Sequence, residues 1–268
     1  MKLADLHLHT VYSDGSATPD EIVRAAKRNG LDAIAVTDHD TLDGLAETFA
    51  AGQAQGIEII AGVEITSRVG TQEVHILGYF FHDDWRDPVF HKVLEHAKHL
   101  REQRALEFVA RFHQLGIPLT LAEIKACSSC GTLGRMHVAL ALQRRGVVNS
   151  VEEAFERFLR RGKPGFVDRP RMTAAEAIGQ IRRAGGVAAL AHPGLNNVDK
   201  QIPEMMAQGM VGLEVWHSRH TPAQTEHYLA MTRALGLLPT GGTDAHDANP
   251  GLVRIPYEHV ETLKSCLT

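Results

Sequence analysis

At 268 residues with 44% hydrophobic content, the chain carries enough apolar material for one large α/β barrel or two modest domains, and a disordered chain is excluded. A net charge of −4 excludes a protein whose main business is non-specific binding of long duplex nucleic acid. No run approaches the ~18 apolar residues of a membrane span, and Asp5, His7 and His9 interrupt any apolar leader, so a cytoplasmic chain with no membrane partner is expected.

Residues 2–9 form the first expected strand, and they carry the most informative spacing in the chain, His7-Leu8-His9. Side chains at i and i+2 of a strand share a face, so the two imidazoles converge while Leu6 and Leu8 face a packed layer. Thr18, Pro19 and Glu21 then spell a helix start, with Thr as N-cap, Pro at the first position and Glu at the third, and Gly30 closes that helix. Residues 33–36 are the second strand, ending at Thr37-Asp38-His39; a helix over 43–55 leads to strands at 57–66 and 73–81, the latter carrying His75.

From 87 to 162 the pattern is helix after helix, with 101–115 long and periodic and 133–145 and 151–161 shorter. His91, His96, His99 and His113 lie in this charged stretch and read as surface residues. The three cysteines, Cys127, Cys130 and Cys266, include one CxxC without a second, so reduced thiols are expected rather than a disulfide or a zinc site. Alternation resumes with a helix at 174–183, a strand at 186–191 ending in His192, a short helix at 203–208, a strand at 212–216 ending in His217, a helix at 222–235, and a last strand at 237–240 running into Gly241-Gly242-Thr243-Asp244-Ala245-His246.

Strands alternating with helices imply βαβ units and a parallel sheet, and function in such sheets collects at the carboxyl ends of the strands. His7, His9, Asp14, His39, Glu64, His75, His192, Asp244 and His246 all fall at or near those ends. Burying so many titratable groups on one rim leaves them poorly paired unless cations join them. Three carboxylates and six imidazoles suffice for two or three divalent ions, and Glu64 suits a bridging role. The mixed nitrogen and oxygen set favours Mn, then Zn or Fe, over Ca.

Asp5-x-His7-x-His9-Thr10 with Ser13-Asp14-Gly15, Val36-Thr37-Asp38-His39-Asp40, Gly62-Val63-Glu64, His75, Ala191-His192-Pro193 and Gly242-Thr243-Asp244-Ala245-His246 resemble, in order, the motif series of the PHP (polymerase and histidinol phosphatase) family. Asp14 stands where some members carry His. The resemblance implies a distorted, TIM-like (β/α)7 barrel from residues 1–86 and 163–268, with 87–162 as an all-helical insertion that caps the substrate. It also implies a trinuclear centre: His7, His9, Glu64 and Asp244 on one ion, Glu64, His75 and His192 on a second, Asp14, His39 and His246 on a third. Ions that close together make hydroxide available from a bridging water at neutral pH, so phosphoester hydrolysis is the implied reaction. The expected catalytic residues are Asp244, on the metals, and His217, which would protonate the leaving alkoxide or contact the phosphate.

Phosphate recognition calls for fixed cationic donors. Arg157, Arg160, Arg161, Lys163, Arg169 and Arg171 cluster against Asp168, the first three reading as a solvated helix face. Lys163 and Arg171 sit in the loop returning to the barrel, Ser13 lies beside the ligand Asp14, and Arg135 follows Gly134 at a helix start whose N-terminus favours anions. Arg135, Lys163, Arg171, Ser13 and His217 are therefore the expected substrate contacts, with Phe166 offering a face to one base. By resemblance, the substrate is a nucleoside 3′,5′-bisphosphate that loses its 3′-phosphate to leave a 5′-monophosphate. The alternatives are 5′-3′ trimming of short 5′-phosphorylated oligonucleotides, a histidinol-phosphate-type monoesterase, and a metal-binding PHP module without turnover.

Overall fold

Nine strands of the computed structural model, which describes residues 1–128, 133–168 and 171–267, join in one sheet. In chain order the elements are β1 (Leu3–Leu8), α1 (Pro19–Arg28), β2 (Ala33–Val36), α2 (Leu45–Gln55), β3 (Glu58–Val69), β4 (Gln72–Phe80), α3 (Pro88–Gln114), α4 (Leu121–Lys125), α5 (Arg135–Arg144) and α6 (Val151–Ala154). They continue with β5 (Met172–Thr173), α7 (Ala174–Arg183), β6 (Val187–Leu190), α8 (Ile202–Ala207), β7 (Gly212–His217), α9 (Pro222–Leu235), β8 (Leu238–Gly242), β9 (Ile255–Pro256) and α10 (Glu258–Ser265). The strand order is β8-β7-β6-β4-β3-β2-β1-β9, with β5 beside β3. A parallel bridge from Leu8 to Ala245 joins the two flanks and nearly closes a barrel.

The expected wholly parallel sheet is corrected at two strands: short β9 runs antiparallel to β1 at the sheet edge, and β4 is reversed inside the ring. β4 runs antiparallel to both β3 and β6. Its cause is arithmetic: only Gly70 and Thr71 separate β3 from β4, which allows a hairpin and no crossover. The reversal matters for the site, because it brings the start of β4, and so His75, to the mouth where the parallel strands end.

Inward positions of the barrel are small or flat: Ala4, Ala33, Ala35, Ala189 and Ala191 leave room for Leu6, Ile60, Leu77 and Tyr79, and Val260 and Leu263 of α10 close the floor. The larger side chains face outward. Ile34, Val36, Val63, Ile65, Ile76, Leu190 and Leu213 pack against the helices around the barrel, and at about 1.5–3 kcal/mol per buried aliphatic side chain this outer layer contributes most of the hydrophobic stabilisation. Leu6 and Leu8 do not share a face as strict alternation requires. A register irregularity between Asp5 and Leu8 puts Leu6 in the inner layer and Leu8 in the outer one. The helix starts follow the expected chemistry: Thr18 and Glu21 cap α1 reciprocally, and Thr173 with Glu176 and Thr221 with Gln224 repeat the device on α7 and α9.

Residues 105 to 167 build a separate apolar cluster around Phe108, Phe112, Leu142 and Leu159. α3 belongs to both layers. Phe90 and Leu94 of its first half pack on the barrel, while Ala105, Phe108 and Phe112 of its second half pack in the helical cluster. Cys127 and Cys266 are free thiols, and Cys130 lies outside the described residues, as does Arg169. His96, His99 and His113 are exposed and His91 half-buried. No described helix is long and apolar enough to cross a membrane.

Candidate metal centre

All nine expected ligands converge on the barrel mouth. Glu64 is the hub: one oxygen stands 2.8 Å from His75 Nδ1 and 3.1 Å from His192 Nε2, the other 3.0 Å from His39 Nδ1, 3.3 Å from His9 Nε2 and 3.4 Å from His7 Nε2. Asp244 reaches His9 at 3.1 Å and His7 at 3.5 Å. Asp14 stands 3.3 Å from His246 and 3.7 Å from His39. The groupings differ in detail from the implied ones. His9 joins Asp14, His39 and His246, His39 also joins Glu64 and His75, and His217 joins His7 and Asp244, each group with ligand atoms within 4.8 Å of one another.

Backbone strain marks the same rim. His192 and Asp244 take positive φ, 29° and 55°, where a side chain costs about 1–3 kcal/mol. Gly242 cannot carry a side chain, since a Cβ there would meet His7 N and Cβ at 2.4 Å; this close approach brings β8 and Asp244 against the His7 strand.

For His7, His9, Asp14, His39, Glu64, His75, Asp244 and His246 burial is the largest influence and opposes charge. Around Glu64 it is outweighed by His75, His39 and His7, which hold the carboxyl well below its ordinary value. Imidazoles likewise hold Asp14 and Asp244 far down. In return Glu214, Asp244 and Glu64 hold His7 well above its usual value, and similar contacts lift His9 to about 10 and His75 to about 9. His39 goes the other way, pushed to about 3 by burial with His9 and His75 nearby. In the metal-free protein, protons thus sit where cations would go.

Those residues fit divalent metal ions on a direct observation. His7 Nε2, both ring nitrogens of His9 and His39 Nδ1 are buried without a hydrogen-bond partner, although carboxylate oxygens stand nearby. Such orphaned atoms are costly unless something binds them. His7 Nδ1 faces Glu214 Oε1 at 2.9 Å, so the neutral form that a metal needs would keep its proton on that side and turn the Nε2 lone pair into the cluster. Glu214 also accepts from the His192 backbone N–H at 2.6 Å, orienting two ligands at once. It escaped the sequence reading, although a Glu inside the apolar run Gly212–His217 was the available signal. Glu214→Gln is expected to keep the fold and weaken metal affinity by about 10- to 100-fold, read by competition with a chelator.

Several expected substrate residues are engaged with other partners. His217 is buried; its Nδ1 accepts from the Arg219 N–H and its Nε2 stands 3.1 Å from the Asp244 carboxylate. Ser13 is buried with its hydroxyl given to Asp38 at 2.5 Å. Lys163 is exposed and is not among the residues lining the cleft beside Asp14, His39 and His75, and Phe166 lies under the Arg161 guanidinium. Arg157 pairs with Glu153 and Arg161 with Asp168, both exposed.

Arg135 does reach the mouth. It lines a cleft of about 120 Å³ with Asp14, His39, His75, Gly134 and two arginines that the sequence reading missed, Arg101 and Arg104. Both are buried on α3: Arg101 donates to Asp40 at 2.7 Å and Thr66 at 2.8 Å, Arg104 to the Val167 carbonyl. Glu73 is also new. Its oxygens take Arg135 at 2.6 Å and Arg171 at 2.7 Å, and His75 Nε2 stands 3.8 Å away. Arg171 is buried behind this carboxylate and reaches the cleft only through it.

A family model described as the PHP domain matches residues 5–166. The chain belongs to the PHP family. It is 35% identical to a 5′-3′ exoribonuclease of Haemophilus influenzae over 91% of this chain and 90% of that protein, and 31% identical to a 3′,5′-nucleoside bisphosphate phosphatase of Chromobacterium violaceum over 92% and 88%. The crystal structure of a protein from Bifidobacterium adolescentis, assigned as a metal-dependent phosphoesterase, superposes with a TM-score of 0.89 at 31% identity, covering 98% of this chain and 96% of the other. With the ligand cluster in place, this PHP protein is a metal-dependent phosphoesterase, a hydrolase whose mouth binds divalent ions.

Proposed function

We propose that this PHP protein removes the 3′-phosphate of nucleoside 3′,5′-bisphosphates, leaving the 5′-monophosphate, with two or three Mn ions held by His7, His9, Asp14, His39, Glu64, His75, His192, Asp244 and His246. One observation carries the reading: Arg101, Arg104 and Arg135 line the same cleft as Asp14, His39 and His75, so a second anion-binding centre faces the metal ligands. A substrate with two phosphates uses both; a simple monoester uses one.

Bound there, the ions lower the pKa of a water and neutralise the phosphoryl oxygens. The chain's own residues hold the substrate. Arg135 exchanges Glu73 for the remote phosphate, and the N-terminus of α5, opening on the cleft at Gly134, adds favourable dipole. Arg101, tied to Asp40 and Thr66, fixes that wall. Glu214 and His217 keep His7 and Asp244 in their orientations. The helical unit of residues 87–162 acts as the cap over a barrel of 1–86 and 163–268. Likeness to the Haemophilus exoribonuclease favours a second activity, 5′-3′ trimming of short oligonucleotides, which is the same displacement on a diester.

The test is a phosphate-release screen over nucleoside mono- and bisphosphates with Mn added. Arg135→Ala is expected to raise KM for bisphosphates by about 10- to 100-fold, the worth of a charge-assisted hydrogen bond, and to leave a generic aryl phosphate unchanged. Equal losses on both substrates would sink the two-phosphate reading.

A further inference from the structure

The mouth opens a second time, over β7 and β8. A cavity of about 750 Å³ is lined there by Ser218, Asp244, His246, Asn249, Pro250 and Leu252 among others, within the ~300–1,000 Å³ of small-molecule sites. In the strand order β7 and β8 lie across the ring from β2, β3 and β4, which carry the arginine-lined cleft. The metal cluster is where the two openings meet: Asp14 lines the cleft, His246 lines the cavity, and the two side chains stand 3.3 Å apart.

The cavity's chemistry is unlike the cleft's. Arg254 is its one Lys or Arg among the described residues, and it donates to the carbonyls of Gly251 and Asn29, while Asp244 and Asp247 add negative charge. Against the three arginines of the cleft, the cavity offers a phosphate a single guanidinium, held by backbone carbonyls. Instead Leu252, 76% exposed beside Pro250, presents an apolar face, and the Ser218 hydroxyl has no partner among the described residues. An apolar platform next to neutral hydrogen-bonding groups suits a nucleoside, with its base on Leu252 and its sugar hydroxyls on Ser218 and Asn249.

We infer that this cavity holds the nucleoside attached beyond the scissile phosphate of a short 5′-phosphorylated oligonucleotide. The inference rests on the two-phosphate reading above. The 5′-phosphate of the first nucleotide occupies the arginine-lined cleft. The oxygen of a water bonds to phosphorus, the bond from phosphorus to O3′ breaks, and O3′ leaves with the first nucleotide, taking one of the water's hydrogens. The phosphoryl group stays on the 5′ oxygen of the second nucleoside. A bisphosphate offers the same phosphorus with a hydroxyl in place of that nucleoside and leaves the cavity unfilled, so one site serves both substrates.

The experiment compares adenosine 3′,5′-bisphosphate with a 5′-phosphorylated adenosine dinucleotide on the Mn-loaded protein. Leu252→Ala is expected to raise KM for the dinucleotide about five- to tenfold and leave kcat/KM on the bisphosphate within about twofold. Leu252→Trp, which enlarges the platform, is expected to lower the dinucleotide KM. Calorimetric binding of a dinucleotide whose bridging O3′ is a methylene group is expected to shift in parallel. Equal effects of both variants on the two substrates, or none on the dinucleotide, overturn the inference. A wild-type protein that cleaves only the bisphosphate overturns it and spares the two-phosphate reading; one that cleaves neither removes both.

Discussion

Glu64→Ala is expected to cost the protein at least one bound metal ion and to lower kcat/KM by about 10³-fold or more, since a lost metal forfeits several kcal/mol of transition-state stabilisation. The size follows from the geometry. Five imidazoles stand within 3.4 Å of its two oxygens, so no other single side chain touches as many ligands. Its removal leaves those histidines mutually repulsive as well as one ligand short. Metal per chain by elemental analysis, beside circular dichroism to show that the barrel persists, separates loss of the site from loss of the fold. Glu64→Gln preserves volume and supplies the control. Full metal content and near wild-type turnover in Glu64→Ala would refute the hub.

Metal uptake is expected to expel protons and to tighten steeply as pH rises. His9, lifted to about 10, and His75, lifted to about 9, carry protons at neutral pH in the metal-free protein, held there by Asp244 and Glu64 against the opposing pull of burial. An ion that takes those nitrogens must displace them, so each proton released makes affinity rise about tenfold per pH unit below those values and fall by as much on acidification. Calorimetry in two buffers of different ionisation heat counts the protons directly. Affinity that stays flat between about pH 6 and 8 would show that the ligands are already deprotonated.

The convergence of the nine expected ligands was legible because each follows from two local facts, a strand ending and a donor side chain at or near it. Partners that meet only after folding were not. Arg101 and Arg104 sit in the charged run Arg101-Glu102-Gln103-Arg104, where helical periodicity cannot separate a buried guanidinium from a solvated one; Asp40 and the Val167 carbonyl decide it. Glu73 looks like the polar start of a strand until Arg135 and Arg171 close on it. His217 obeyed the strand-end rule and still turned inward, because the backbone N–H of Arg219 claims its Nδ1. The reversed direction of β4 was within reach: the six residues between the expected strands are too few for a crossover.

α3 runs unbroken for 27 residues, about 40 Å at 1.5 Å per residue, with its first half on the barrel, its second in the helical cluster, and Arg101 and Arg104 between. A flap on a loop adapts to whatever it closes over. A helix bolted to the rim through Asp40 and Thr66 does not, so the span from guanidinium to metal ligands is set before any substrate arrives. The enzyme carries a ruler. On the two-phosphate reading proposed above, it measures the number of bonds between the phosphates, and analogues with that spacing shortened or lengthened by one bond are expected to be discriminated by length rather than by base.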